Sequence, residues 1–473
     1  LSCLFNNIHY RHLRKKIKFL KNFLHLLLVL HITNLRFDFL ENNIKINTVG
    51  ILTTLKNQHP YQRMKNMKRI AFILLLTLFS TAHAQVKTGI EILKEQNFEV
   101  LKGKRVGLIT NPTGVDAQLN STIDILADAP EVNLVALYGP EHGVRGNIAA
   151  GEKVENALDS ATGVPIYSLY GKTRKPTPEM LEGIDVLVYD IQDIGSRSYT
   201  YISTLILSME AAAESNIEFV VLDRPNPLGG NKFEGSLTER AFTSFVSQLP
   251  ITYVHGFTVG ELAIHINNNN LLHGGIKSDL TVIEMEGWDR DMNFEETGLP
   301  WIPSSPHIPH AHSAYYYPVS GILGELYVYN IGVGYTLPFQ LFGADWLEAP
   351  SLAKNLNELN LPGVIFRPVF FKPYYSTYKG EEIEGVQVHL TNLEKAPLSL
   401  IQFYVLQEAY KMNPDKNVFE LCNPSRLNKF DKVCGTDKVR KAFTKNFRVE
   451  EMIDIWNRDV DHFKELAKKS FLY

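Results

Sequence analysis

The segment Tyr138-Gly-Pro-Glu-His-Gly-Val-Arg-Gly146 puts three ionisable side chains, Glu141, His142 and Arg145, on a short stretch stiffened by Pro140. A carboxylic acid next to an imidazole is a proton donor next to a proton relay, the pairing that general acid–base chemistry uses. The segment follows the apolar run Val132–Leu137, which reads as a buried strand. Turns after buried strands are usually made of small polar residues, so the composition of this one points to an active-site loop.

Three further apolar runs end in polar clusters. They are Asn111-Pro-Thr-Gly114, the stretch Asp190-Ile-Gln-Asp-Ile-Gly-Ser-Arg-Ser-Tyr-Thr-Tyr201, and Asp223-Arg-Pro-Asn-Pro-Leu-Gly-Gly230. Each alone has a structural reading. Asn111 starts a turn and caps a helix; Asp190 and Asp223 hold backbone N–H groups; Arg224 pairs with a neighbouring aspartate. In an open parallel sheet, however, ligands bind outside the carboxyl ends of the strands, so all four clusters are expected on one rim. Carboxylates for acid–base work, amides for hydroxyls and aromatic faces for pyranose rings together make a sugar site.

The elements that must position these residues follow from the pattern. Strands are expected at Arg105–Thr110, Val132–Leu137, Val164–Leu169, Asp185–Asp190, Glu218–Asp223 and Leu280–Met285, and helices at Ser121–Ala129, Pro178–Glu182, Tyr201–Ser215 and Thr258–Asn267. The strand runs are continuously apolar, which marks strands covered on both faces. Strand–helix alternation implies right-handed crossovers. The expected fold is α/β, a Rossmann-like doubly wound parallel sheet with a second, smaller α+β domain. The texture changes near Tyr315, with runs at Val364–Phe371 and Gly385–Leu390 and helical stretches at Leu398–Lys411 and Glu450–Lys469; the Pro-rich segment Pro300–Pro318 is expected to be the connection.

The front of the chain reads differently. Met67-Lys-Arg69, the apolar run Ile70–Phe79 and Ala82-His-Ala84 form a basic start, an apolar middle and a small-x-small end, the pattern of a secretory signal peptide cleaved after Ala84. Residues 1–66 are read as translated upstream sequence; the run Phe23–Leu30 is too short to span a bilayer. The expected organisation is therefore 1–66 upstream, 67–84 signal peptide, 85–312 catalytic domain and 313–473 C-terminal domain. The compartment is periplasmic or extracellular, and no stable membrane anchor remains after cleavage.

The chain carries 48 Lys+Arg against 51 Asp+Glu; residues 1–84 hold 13 and 2 of these, which leaves 35 and 49 on the rest. A mature net charge of −14 would repel nucleic acid and anionic membrane. There is no Gly-x-Gly-x-x-Gly after the first strand and no Gly-x-x-x-x-Gly-Lys-Ser/Thr, so neither dinucleotide nor nucleotide phosphate has its loop. The absence of Gly-x-Ser-x-Gly disfavours a serine esterase; Ser196 and Ser198 are the nearest hydroxyls and have no obvious base. His307, His310 and His312 lie close enough in sequence to suggest zinc, but Pro306 and Pro309 hold them on extended chain, which favours ligand contacts over a metal. No cofactor or metal is expected. Cys422 and Cys434 could pair or stay as thiols.

Taken together, Gly107-Leu-Ile-Thr-Asn-Pro-Thr-Gly114, Gly139–Gly146, Asp190–Tyr201, Asp223–Gly230 and His255-Gly-Phe-Thr-Val-Gly-Glu-Leu262 resemble the NamZ (YbbC-like) family of exo-β-N-acetylmuramidases. The resemblance covers essentially all of the chain after Ala84. It implies a Rossmann-like catalytic domain, a smaller C-terminal domain, a cleft between them, and release of terminal N-acetylmuramic acid from the non-reducing ends of peptidoglycan fragments. There are departures. Ser305-Pro-His-Ile-Pro309 stands for the family's Ser-Pro-Asn-x-Pro. Of Glu-Gly-Thr-Asn-x-Ser-Glu-Gly-Arg-Gly-Thr only Glu325, Gly332 and Gly334 remain, with Ile331, Val333 and Tyr335 at the second glutamate, arginine and final threonine.

The expected chemistry is glycoside hydrolysis through an oxocarbenium-like transition state served by two carboxylates. Glu141 is the expected acid, with His142 orienting it or sharing its proton. The second carboxylate is Asp190 or Asp193, then Glu325, and its distance from Glu141 would report retention or inversion. Arg197 and Arg224 are candidates for the lactyl carboxylate. Asn111, Tyr199, Tyr201, Asn226, His307, His310 and Glu325 are candidate sugar contacts. The competing class is a non-catalytic wall-fragment binder, which becomes the better reading if no second carboxylate lies within reach of Glu141.

Overall fold

The computed structural model describes residues 85–146 and 157–473, together with the short antiparallel pair Leu40–Glu41 and Ile44–Lys45. The chain divides into two units, Leu1–Ala84 and Gln85–Tyr473. The signal-peptide reading of 67–84 falls outside the described residues. Gln85–Tyr473 forms one compact unit built on two sheets.

The larger sheet has seven strands: β1 (Arg105–Thr110), β2 (Asn133–Gly139), β3 (Ala157–Leu158), β4 (Pro165–Ser168), β5 (Val186–Asp190), β6 (Glu218–Leu222) and β7 (Asp279–Ile283). Their order is β3-β4-β2-β1-β5-β6-β7, and only β3 runs antiparallel to its neighbour. Residues alternate between two cores: Val106, Leu108, Leu137, Val186, Val188, Val220 and Leu222 enter one, while Ile109, Tyr138, Leu187, Tyr189, Phe219 and Val221 enter the other. That is the physical basis of the continuous apolar runs. With helices on both faces, neither side of a strand is solvated. α1 (Gly89–Glu95), α2 (Thr122–Asp128), α3 (Tyr201–Glu214) and α4 (Val259–Asn268) are the helices around it. α4 starts with a capping box in which the Thr258 hydroxyl accepts from Glu261 N at 3.1 Å and Thr258 N donates to the Glu261 carboxylate at 3.1 Å.

The smaller sheet is antiparallel, with β10 (Ile383–Leu390) between β8 (Leu341–Ala344) and β9 (Val364–Phe371). Its covering core takes Phe342, Phe366, Val386 and Val388 from the strands, with Leu352 and Leu356 from α6 (Ala349–Glu358) and Val405 and Leu406 from α7 (Ile401–Met412).

Three expectations need correction. Pro178–Glu182 is a turn, not a helix. The Pro300–Pro318 connection ends early, because Ala311–Gly324 is a helix, α5, with Pro318 inside it. An internal proline costs a helix about 3 kcal/mol. Burial of Tyr315, Tyr316, Val319, Ile322 and Leu323 outweighs that, at roughly 1.5–3 kcal/mol for each large apolar side chain. The expected helix Glu450–Lys469 is broken into Val449–Glu451, Ile453–Asn457 and Val460–Ala467, followed by Lys468–Ser470. The sequence reading also missed the helix Pro424–Cys434, here α8. Its ends carry two free buried thiols, Cys422 before it and Cys434 at its last residue. Among the described residues, no helix is long and apolar enough to cross a membrane.

Candidate functional site

The loop after β2 turns sharply. Gly143 N donates to Pro140 O at 3.0 Å, and His142 and Gly143 are both left-handed, at φ 75° and 73°. Glycine takes that conformation freely, whereas a side chain pays about 1–2 kcal/mol for it. His142 is nevertheless held there and buried. The turn delivers Glu141 and His142 to the wall of a cavity of about 930 Å³.

Two more strand ends feed the same cavity. The loop after β4 brings Tyr170, whose phenol is hydrogen-bonded to Glu141; burial first, then that bond, pushes the phenol up to about 12, so it stays protonated. The loop after β5 brings Ser198, Tyr199 and Tyr201. Tyr199 shares a hydrogen bond with Ser304 Oγ at 2.7 Å, and Tyr201 donates to Ser304 O at 2.6 Å. The Tyr199 ring meets Tyr201 and Tyr317 edge-on, with centroids 5.0 and 5.5 Å away. Burial raises both Tyr199 and Tyr201 well above the usual phenol range. His307 lies 2.9 Å from the Tyr375 hydroxyl through Nε2; burial, and then the nearby His142, lower its pKa against the opposing pull of Glu141.

The second half of the chain also contributes to the lining. Glu325, at the end of α5, is 3.1 Å from Lys429 Nζ and 3.7 Å from Arg426. Lys429 and Lys432 of α8 line the cavity. Gly332 and Gly334 shape the intervening segment: a Cβ would stand 1.9 Å from Leu337 O at the first and 2.0 Å from Tyr375 O at the second. Those contacts explain why both positions are glycine, while Ile331 and Val333 beside them give the wall an apolar patch.

Of the residues expected at the site, Glu141, His142, Tyr199, Tyr201, His307 and Glu325 line this cavity. Seven do not. Asp190 is fully buried and is spent on Arg224, at 2.5 and 3.0 Å, and on the Thr122 hydroxyl at 2.5 Å. Arg224 is correspondingly held by Asp190 and Val115 O. Asp193 accepts from Gly195 N at 2.7 Å and faces His255 Nε2 at 3.2 Å, behind Tyr199. Arg197 is buried without a carboxylate; it donates to Ser236 O, Ile251 O and Val433 O, and burial lowers it to about 10. Asn111 Oδ1 accepts from Thr113 N and Oγ1, closing its own turn. Asn226 donates to Phe257 O and accepts from Leu228 N. His310 is the exposed N-cap of α5. The three linker histidines diverge, since His312 pairs with Glu295 at 2.9 Å and His307 turns to Tyr375. Among the described residues, no group of three or more His, Cys, Asp or Glu side chains could hold a metal ion.

The sequence reading missed Tyr170, Arg174, Tyr317, Tyr375, Lys429 and Lys432, all of which line the cavity. Tyr170 had the same signal as the others, a polar residue directly after an apolar run. The lysines had only their i, i+3 spacing on a helix that was itself not recognised.

A parallel sheet whose strand ends deliver a carboxylate, a phenol bonded to it and several aromatic rings to one cavity fits one class, an α/β glycoside hydrolase, and the likeness to known proteins places the chain there. The family model described as exo-beta-N-acetylmuramidase NamZ, N-terminal, matches residues 106–312, and its C-terminal counterpart matches 315–473. The chain therefore belongs to the NamZ family. It is 43% identical over 389 residues to the peptidoglycan beta-N-acetylmuramidase NamZ of Bacillus subtilis (strain 168), covering 82% of this chain and 92% of that protein. Two crystal structures of DUF1343 family proteins from Bacteroides fragilis NCTC 9343 share the fold. One is 60% identical with a TM-score of 0.80 and the other 32% identical with a TM-score of 0.66; each alignment covers 82% of this chain and 99% of the other.

Proposed function

We propose that this protein is an exo-acting glycoside hydrolase that releases terminal N-acetylmuramic acid from the non-reducing ends of peptidoglycan fragments, working outside the cytoplasm after removal of residues 67–84. The observation that supports the reading is the Tyr170 phenol hydrogen-bonded to Glu141 in a cavity that a second carboxylate, Glu325, also lines. Glu141 gives its proton to the glycosidic oxygen as the bond to C1 breaks. The sugar develops oxocarbenium character, a water supplies hydroxyl to C1, and the water's second proton returns to a carboxylate. Tyr170 and His142 hold Glu141 in place. Tyr199 and Tyr317 offer ring edges and faces to the pyranose, and Glu325 is the other carboxylate of the cavity left to serve the transition state.

The two competing readings lose ground on specific contacts. Two-carboxylate hydrolysis needs a second carboxylate in the cavity of Glu141, and Glu325 supplies one. For an esterase, Ser198 Oγ meets the hydroxyls of Tyr253 and Tyr317 at 3.3 Å and no base, while Ser196 is fully buried. The test is to incubate the protein with N-acetylmuramyl-terminated disaccharides and identify the products by mass spectrometry. Free N-acetylmuramic acid is expected. Intact substrate, or release of a different terminal sugar, would overturn the assignment.

A further inference from the structure

The cations that the sequence offered for an anionic substrate group, Arg197 and Arg224, are both consumed by internal partners. The cavity nevertheless carries positive charge of its own on α8. Ser425, Asn428, Lys429 and Lys432 follow i, i+3, i+4, i+7 spacing and line the cavity, while Phe430, Val433 and Cys434 enter the core behind them. Lys429 and Arg426 share the single carboxylate of Glu325. Lys432 is half-buried, and among the described residues no carboxylate pairs with it. Two lysines on the cavity lining, with Arg426 beside them on α8, thus meet one anion. A partly desolvated ammonium gains most from an incoming carboxylate, because the charge-assisted bond replaces hydration it has already lost. The other cation at the cavity, Arg174, is exposed and lies over the Phe245 ring at 4.2 Å, on the Tyr170 side.

We propose that the Lys429–Lys432 face of α8 is an anion subsite that reads a carboxylate carried on the saccharide's side chain, with Lys432 as the residue that discriminates. This rests on the saccharide reading of the cavity given above. The carboxylate has two sources, the free lactyl ether acid or a peptide attached through it. Lys432 makes no bond to the reacting centre; it selects the ligand.

Equilibrium binding decides this independently of catalysis. Calorimetric titration of the full-length protein with N-acetylmuramic acid, with N-acetylmuramyl-L-alanyl-D-isoglutamine and with N-acetylglucosamine separates the arms. The wild type is expected to prefer a carboxylate ligand to the neutral sugar, less so as sodium chloride is raised. Lys432→Met should weaken carboxylate binding about 10- to 100-fold, the range for losing a hydrogen bond to a charged group, and leave N-acetylglucosamine within about twofold. Lys432→Arg should restore most of the preference. A loss confined to N-acetylmuramic acid assigns the lactyl carboxylate, and a loss on the dipeptide ligand assigns the peptide carboxylate; either supports the subsite. Equal affinity of the wild type for acid and neutral sugars, an unchanged preference in Lys432→Met, or loss of preference in Arg174→Met instead would each overturn it. If the wild type turns over no glycoside while Lys432→Met still loses acid-selective binding, the hydrolase reading fails and the subsite stands.

Discussion

Single side chains divide the rim into groups that reach the cavity and groups that hold it in shape. Glu141 belongs to the first. Glu141→Gln is expected to lower the release rate of a chromogenic N-acetylmuramide by about 10²- to 10⁴-fold, the usual share of a general acid, with an unchanged unfolding midpoint. Near-wild-type turnover would remove Glu141 from the mechanism. Asp190 belongs to the second group, although its place in the sequence made it look catalytic. Its pair with Arg224 is fully buried, and removing one partner strands the other. Asp190→Asn should cost about 3–5 kcal/mol of stability while the molecules that remain folded keep their turnover. A variant of normal stability with no activity would put Asp190 back in the chemistry. Sequence could not separate the two carboxylates. Both follow an apolar strand, and only the position of Arg224 one strand over determines which of them is neutralised.

Secondary-structure elements show where the sequence was readable. The parallel strands were legible because burial on both faces imposes unbroken runs; β5 is buried at every position. α5 was not, since Pro318 and three tyrosines argue against a helix locally and tertiary packing reverses that; from α7, Gln402 donates to Pro318 O at 3.0 Å and accepts from Leu323 N at 2.8 Å. Gln402→Ala removes both of these bonds and should destabilise the protein by about 1–3 kcal/mol. An unchanged denaturation midpoint would mean that α5 stands without that clamp. The site was legible to the same degree. Glu141, Tyr199 and Tyr201 were found because they lie on loops and a helix start at strand carboxyl ends, where the topology puts ligands. The α8 lysines were not, because a helix from the far end of the chain brings them to the cavity, and no local pattern encodes that distance.

At the scale of the molecule, stability should depend on a buried acid that does not line the cavity. Asp223 accepts from Arg224 N, Gly260 N, the Thr258 hydroxyl and the Tyr473 hydroxyl, yet burial outweighs these donors and pushes it up to about 7. The folded value lies above the unfolded one. The stabilising contribution is therefore full below the ordinary carboxylate range and is lost as pH rises toward about 7, at no more than about 1.4 kcal/mol per pH unit. Chemical denaturation of wild type and Asp223→Asn between pH 4 and pH 8 checks this: the difference between their stabilities should shift with pH in that window, and parallel profiles would sink the idea. The buried guanidinium of Arg197 has a different reach. It ties the loop that carries Tyr199 and Tyr201 to the carbonyl of Val433 on α8, so one cation with no counter-ion braces two elements that both line the cavity. An enzyme braced in this way has little to gain from opening and closing. Its turnover should be insensitive to solvent viscosity, and its substrates should be sorted by what fits a fixed mould.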